Sequence, residues 1–138
     1  VLAANIGANL TRNLWTYLII FCGHFPEGVE QVTAESVENE SRGQWYLRQL
    51  LGSANIKGGK VLHVMSGHLT FQIEHHLFPD LPSRRYPELS KGVQQICAKY
   101  GLPYNSGSLA QQFGSTLKRV VKLGLPTVQD LRRTFAAA

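Results

Sequence analysis

Apolar side chains recur at helical spacing along almost the whole chain. The run Leu14–Gly23 (LWTYLIIFCG) is strongly apolar, but ten residues cannot cross a bilayer alone. Extended back to Val1 it reaches spanning length and takes in Asn5, Asn9, Thr11, Arg12 and Asn13. Asn5, Asn9 and Asn13 recur every fourth residue and share one helical face. Polar groups in lipid are costly, so that stripe should face protein or a functional cavity. A buried helix of a soluble protein is the alternative, and the pattern favours the membrane helix. Pro26 and Gly28 end it, and the acidic stretch up to Arg42 reads as loop.

Gln44–Ala54 places Leu47, Leu50, Leu51 and Ala54 at helical spacing. After the Gly58-Gly59 break, one central helix is predicted from Lys60 to Phe78, stopped by Pro79 and Pro82. Pro87–Tyr100 forms a further helix with Leu89, Val93, Ile96 and Tyr100 on one side, ended by Gly101 and Pro103. Ser108–Leu123 is another, with Leu109, Phe113, Leu117, Val120 and Val121 on one side and Lys118, Arg119 and Lys122 on another. It suits either a membrane surface or packing on the protein with its cations in water. No strands or repeats are predicted, so the fold class is mainly α.

Charge adds an asymmetry to this picture. The formal net charge of the 138 residues is +5. From Arg84 onward nine Lys/Arg face only Glu88 and Asp130, whereas His24–Asn55 holds five Glu against Arg42 and Arg48. A basic tail suits anionic phosphate in lipid headgroups, coenzyme A or nucleic acid, or is simply a solvated face. Cys22 and Cys97 belong to no CxxC pair, which argues against a disulfide framework or zinc ribbon and fits a reducing, cytosol-facing setting. The chain opens on Val1 in what reads as mid-helix, as expected of a cut chain.

The chemistry concentrates in Gln72-Ile73-Glu74-His75-His76-Leu77-Phe78-Pro79. On one continuous helix His68, Gln72, His75 and His76 fall at i, i+4, i+7 and i+8 and project from one face. Imidazole suits iron, zinc and copper alike, so residue type does not choose the metal. There is no HExxH, no GxSxG elbow and no phosphate-cradling glycine loop before a helix.

The run GHLTFQIEHHLFPDLP (Gly67–Pro82) resembles the third histidine box of the membrane fatty-acid desaturases, in its Gln-x-x-His-His form. CGHFPEG (Cys22–Gly28) and GQWYLRQLLGSAN (Gly43–Asn55) resemble stretches flanking that box in actinobacterial acyl desaturases. The resemblance implies the C-terminal part of a helical membrane protein. Residues 1–23 are then the last transmembrane helix or part of it. Residues 24–138 are a cytosolic helical cap with the box at 68–79 on the cytoplasmic side. It further implies two iron ions held by histidines of three boxes, with His75 and His76 as ligands and His24 as an extra ligand outside the boxes. Gln72 stands where other members have His, and is expected to act as a weak ligand or to hydrogen-bond a metal-bound water or a neighbouring ligand. His68 is expected in a supporting place on the same side, and His63 is structural.

The implied reaction introduces a C=C bond into a fatty acyl-CoA or acyl-lipid, using O2 and electrons from ferredoxin, cytochrome b5 or a reductase. Arg84 and Arg85 are candidates for a coenzyme A phosphate. The upstream HxxxH and HxxHH boxes are missing from these 138 residues, so the chain alone is expected to be inactive. Two alternatives stay open: a related His-box hydroxylase, and a non-catalytic basic remnant that touches membrane or nucleic acid. The histidine cluster argues against nucleic acid as the partner.

Overall fold

The computed structural model describes residues 1–125. Asp130, Arg132 and Arg133 of the basic stretch lie outside them. The described chain is mainly helical. In order come α1 (Leu2–His24), a 3-10 turn at Ala34–Val37, α2 (Arg42–Leu51), β1 (Asn55–Lys57), α3 (Lys60–Met65) and α4 (Gln72–Leu77). A second 3-10 turn at Ser83–Arg85, α5 (Tyr86–Tyr100), β2 (Ser106–Ser108) and α6 (Leu109–Gly124) complete it.

Local chemistry sets several of these ends. Ser41 and Gln44 form a reciprocal capping box at the start of α2, and Ser108 and Gln111 do the same for α6. α5 closes on Gly101 at φ +65°, the left-handed conformation glycine adopts without a Cβ penalty.

The predicted central helix Lys60–Phe78 is two helices. Gly67 (φ +62°) and His68 (φ +63°) are both left-handed. The His68 amide donates to the His63 carbonyl (2.7 Å) and the Gly67 amide to the Val64 carbonyl (3.0 Å). That pair of bonds is a Schellman termination, and Gly67 is its signal in the sequence. A second correction concerns strands: β1 and β2 form a short parallel pair, Asn55 opposite Ser106 and Lys57 opposite Ser108. Three-residue strands rich in Asn, Gly and Ser carry no alternating apolar pattern, so periodicity could not mark them.

Two apolar clusters flank the centre. Leu50, Ile73, Leu77, Val93 and Cys97 join α2, α4 and α5, backed by Tyr46, Phe78, Leu102 and Tyr104. Ile19, Cys22 and Ile56 join α1 to β1, backed by Trp15, Leu18, Leu62, Leu69 and Leu109. α5 is rotated from the expected face: Tyr86, Ser90, Val93 and Cys97 are buried, while Ile96 and Tyr100 are exposed. Both cysteines are free and buried.

α1 behaves as two halves. Ile19, Cys22 and Gly23 are buried, whereas Leu2, Ile6, Leu10 and Leu14 are exposed, as are Asn5, Asn9 and Asn13. Among the described residues no helix is long and apolar enough to cross a membrane. α1 has the length, but its asparagines, Thr11 and Arg12 dilute the hydropathy, so the expected span at 1–23 is not met on that measure.

Candidate metal centre

α4 is held from below by a buried polar network. The Asn55 side chain accepts from the Ile73 amide (2.8 Å), which otherwise begins a helix without a side-chain cap. The same side chain donates to Glu74 Oε2 (2.7 Å) and to the Tyr104 hydroxyl (2.5 Å). Tyr104 donates in turn to Glu74 Oε1 (2.8 Å), so both carboxylate oxygens are engaged. Glu74 is fully buried, and that burial raises its pKa against the lowering effect of the Asn55 and Tyr104 bonds. Burial, followed by the Glu74 charge, pushes the Tyr104 phenol well up. Around this carboxylate, Ile73 and Leu77 pack into the first apolar cluster.

Fixing Glu74, Ile73 and Leu77 inward turns Gln72, His75 and His76 to the opposite side of α4. His76 Nδ1 lies 3.1 Å from Gln49 Oε1 on α2. The amide oxygen can only accept, so the proton sits on Nδ1 and Nε2 keeps its lone pair. His75 Nδ1 meets the Tyr86 hydroxyl at 3.2 Å. An imidazole whose Nδ1 is tied to a fixed partner has its ring orientation set for a metal at Nε2. Burial first, and then the charges of His24 and His75, push the His76 pKa down to about 4. At neutral pH it is therefore an uncharged donor, the form a metal needs.

The end of α1 completes the cluster. The His24 ring centroid lies 5.0 Å from that of His76, and His75 lies 5.7 Å from His76. The Ala54 amide anchors this helix end on the Gly23 carbonyl (2.8 Å). A Cβ on Gly23 would sit 3.0 Å from Gln72 Cγ, so the glycine is what lets the Gln72 side chain lie against α1. The Gln72 amide nitrogen donates to His24 Nε2 at 3.0 Å, and the His24 ring also bonds the Gly52 backbone. Gln72 Oε1 is buried without a partner. An orphaned buried oxygen beside three imidazoles marks a place suited to a further polar group or ion.

The structure thus brings together His24, Gln72, His75 and His76. It separates His68, which sits in the left-handed turn after α3 and shares no helix face with the box. The expected i, i+4, i+7, i+8 alignment fails because the helix breaks at Gly67. His63 bonds Thr70 Oγ1 (2.6 Å) and packs on Phe71, a structural setting. Arg84 and Arg85 are exposed in the 3-10 turn, where Arg85 pairs with Glu88 at 3.0 Å. Among the described residues no three His, Cys, Asp or Glu side chains close into a metal-binding group. The donor chemistry of His75 and His76 fits a metal, but further ligands are needed to complete a shell.

Sequence reasoning missed Asn55, Gln49, Tyr86 and Tyr104. It also gave Glu74 no role, although a carboxylate on the apolar side of its helix with Ile73 and Leu77 demands buried partners and could have marked it.

The chain matches the family model described as fatty acid desaturase over residues 1–108. It is 53% identical over 125 residues to the NADPH-dependent stearoyl-CoA 9-desaturase of Mycobacterium tuberculosis, covering 91% of this chain and 29% of that protein. It is 32% identical to the mouse fatty acid desaturase 2-like protein over 78% of this chain and 23% of that protein. Human fatty acid desaturase 3 is also 32% identical, over 75% of this chain and 22% of its own length. The chain therefore spans less than a third of the length of these curated relatives. No solved structure matches it at a significant level.

Proposed function

Because this chain belongs to the fatty acid desaturase family, we propose that it is the part of a membrane-bound, di-iron fatty-acyl desaturase that carries the third histidine box. Residues 1–23 are the last membrane helix or part of it, and the described residues from 24 to 125 form the cytosolic cap. The relative named for stearoyl-CoA and NADPH supports a fatty acyl-CoA substrate, stearoyl-CoA first, and an NADPH-linked electron supply. The single observation that carries the reading is the pair His75 and His76, each tied through Nδ1 to Tyr86 or Gln49.

In the complete enzyme His75 and His76 would hold iron, with Nε2 the free nitrogen of each ring. His24 would join them if the Gln72 amide released its Nε2. When bound, the iron pair supplies the oxidising power that removes two hydrogens from an unactivated methylene pair at the expense of O2. The chain's own residues set the geometry. Gln49 and Tyr86 fix the two ring planes, and the Glu74–Asn55–Tyr104 network stops α4 from turning. Burial keeps His76 uncharged. Arg84 and Arg85 lie just after the box, where a coenzyme A phosphate would meet them, and Arg84 is the better placed because Arg85 already pairs with Glu88.

The test is product analysis of the complete enzyme in a host that lacks the activity, supplied with its electron donor. A new double bond in the acyl pool is expected, lost in His75→Ala and His76→Ala while the protein stays in the membrane fraction. A hydroxylated product would move the chain to the hydroxylase reading. An iron-loaded enzyme that modifies no acyl chain would overturn the proposal. Unchanged acyl-CoA affinity in an Arg84→Ala/Arg85→Ala variant would remove the phosphate contact alone.

A further inference from the structure

α6 is inside out. A surface helix normally buries its apolar face and shows its polar one to water. In α6 the residues at i, i+3, i+4 and i+7 that face the protein are Gln112, Ser115, Thr116 and Arg119. Gln112 Nε2 donates to the Asn55 carbonyl (3.1 Å), and Ser115 Oγ accepts from the Glu27 amide (2.7 Å). The Arg119 guanidinium donates to the Pro26 and Val29 carbonyls, both at 2.9 Å. Phe113, Leu117, Val120 and Val121 lie away from this seam, 45–53% exposed. Polar and apolar side chains are segregated more sharply here than in α1, α2 or α5.

The directed bonds on the polar side fix which way the helix faces, so the outward apolar stripe is specified rather than incidental. A stripe of this size on a surface marks an interaction site. Its charge selects the partner. α6 has no acidic residue from Leu109 to Gly124, and Lys118 and Lys122 stand along one edge of the stripe. The Lys118 side chain is 71% exposed even while it reaches Glu27. Lysine is depleted from protein–protein interfaces, whereas lysines that edge an apolar helical face are typical of helices lying in a bilayer interface. The placement agrees: α6 is bonded to residues 26–29, just beyond the end of α1. It also lies past residue 108, where the family match ends.

We infer that α6 lies in the headgroup region of a phospholipid bilayer containing anionic lipid, with Phe113, Leu117, Val120 and Val121 in the upper acyl layer and Lys118 and Lys122 among the phosphates. This rests on the reading of the complete enzyme as membrane-bound. It adds a second, in-plane attachment beside the end of the membrane helix.

The test places an environment-sensitive fluorophore on the thiol introduced by Leu117→Cys. The complete enzyme is reconstituted in phosphatidylcholine/phosphatidylserine bilayers, and the buried Cys22 and Cys97 stay unlabelled. Quenching by lipids with a nitroxide high on the acyl chain, with shielding from aqueous iodide, is expected. Quenching by iodide overturns the inference, and so does shielding from both quenchers, which would mean protein covers the stripe. Lys118→Glu/Lys122→Glu should weaken lipid quenching in the mixed bilayer and leave it unchanged in phosphatidylcholine alone. Equal quenching by that variant in both bilayers removes the anionic-lipid part. The same label at Leu10 of α1 reports on the membrane reading itself. Lipid contact at 10 without contact at 117 overturns the α6 inference only, while loss at both positions takes both down.

Discussion

Helices α4 and α6 both turn polar side chains toward the interior, and the two bury them to different ends. In α4 the inward polar group is a whole carboxylate, Glu74, closed on both oxygens by Asn55 and Tyr104. In α6 the inward groups are the Gln112 amide, the Ser115 and Thr116 hydroxyls and the Arg119 guanidinium, spaced singly along a seam, and the Thr116 hydroxyl is buried with no partner. A closed network in low dielectric fixes one orientation sharply, because any rotation strands a charge or a donor. A seam of separate bonds fixes direction more loosely. The pair of imidazoles needs the first kind of restraint, while a helix that presents a broad apolar stripe needs only the second.

The widest gap between the two regions should appear on removing their shared residue partners. Asn55→Ala strands the Ile73 amide and Glu74 Oε2 at once, and should lower stability by about 3 kcal/mol in thermal unfolding of the purified protein. Gln112→Ala removes bonds to a carbonyl and an amide oxygen and should cost about 1 kcal/mol. Equal losses would mean that α4 is held no more tightly than α6.

Next in size comes the orientation of His76. Gln49→Leu removes the acceptor at Nδ1 and should weaken metal binding by the complete enzyme about 10–100-fold, with helix content unchanged by circular dichroism. Gln49→Glu, which keeps an acceptor, should restore most of it. Full metal content in Gln49→Leu would show that the ring needs no such partner.

The break that separates the box from α3 is a smaller lever. Gly67→Ala forces a Cβ into the left-handed region and should cost about 1–2 kcal/mol in the same unfolding measurement. An unchanged midpoint would mean that the turn is not what sets α4 free of α3.

The smallest effect belongs to the rim of α2. Arg48 holds the Glu40 carboxyl below its ordinary value of 4.5, chiefly through the hydrogen bond at 2.9 Å. The stability this pair adds is fully present above that value and is lost as pH falls through the lowered one. Glu40→Gln should flatten that part of the acid stability profile and leave the neutral-pH midpoint almost unmoved.

The positions that could be read from residues alone were those where chemistry and chain neighbourhood coincide. Gln72, His75 and His76 stood in one short run, and His24 stood just before the Pro26 that follows α1. Helices α2, α5 and α6 showed their periods, within two or three residues at each end, and α5 its stop at Gly101. What stayed hidden depends on distant pairing. Asn55 is an unremarkable polar residue until β1 meets β2, and Gln49 and Tyr86 lie 27 and 11 residues from the histidines they orient. The continuous central helix was misread because Ser66-Gly67-His68 is short and sits inside an apolar pattern that continues on both sides. The face of α6 was left open for the opposite reason: its period was plain, but only the tertiary bonds of Gln112, Ser115 and Arg119 decide which side turns inward.

The parallel pair of β1 and β2 also has a consequence in time. Asn55 and Ser106 are 51 positions apart, from 106 − 55, and the Asn55–Glu74–Tyr104 network that holds α4 lies within that span. Asn55 gains Tyr104 as a partner only when that loop closes, an entropically slow event that follows the local helices. On a ribosome adding about 5–20 residues per second, the box helix is made roughly 1–6 seconds before residues 104–108 emerge to lock it. In that interval its two histidines are present but unaimed, so a nascent chain should take up metal loosely, and aim it only after β2 has docked.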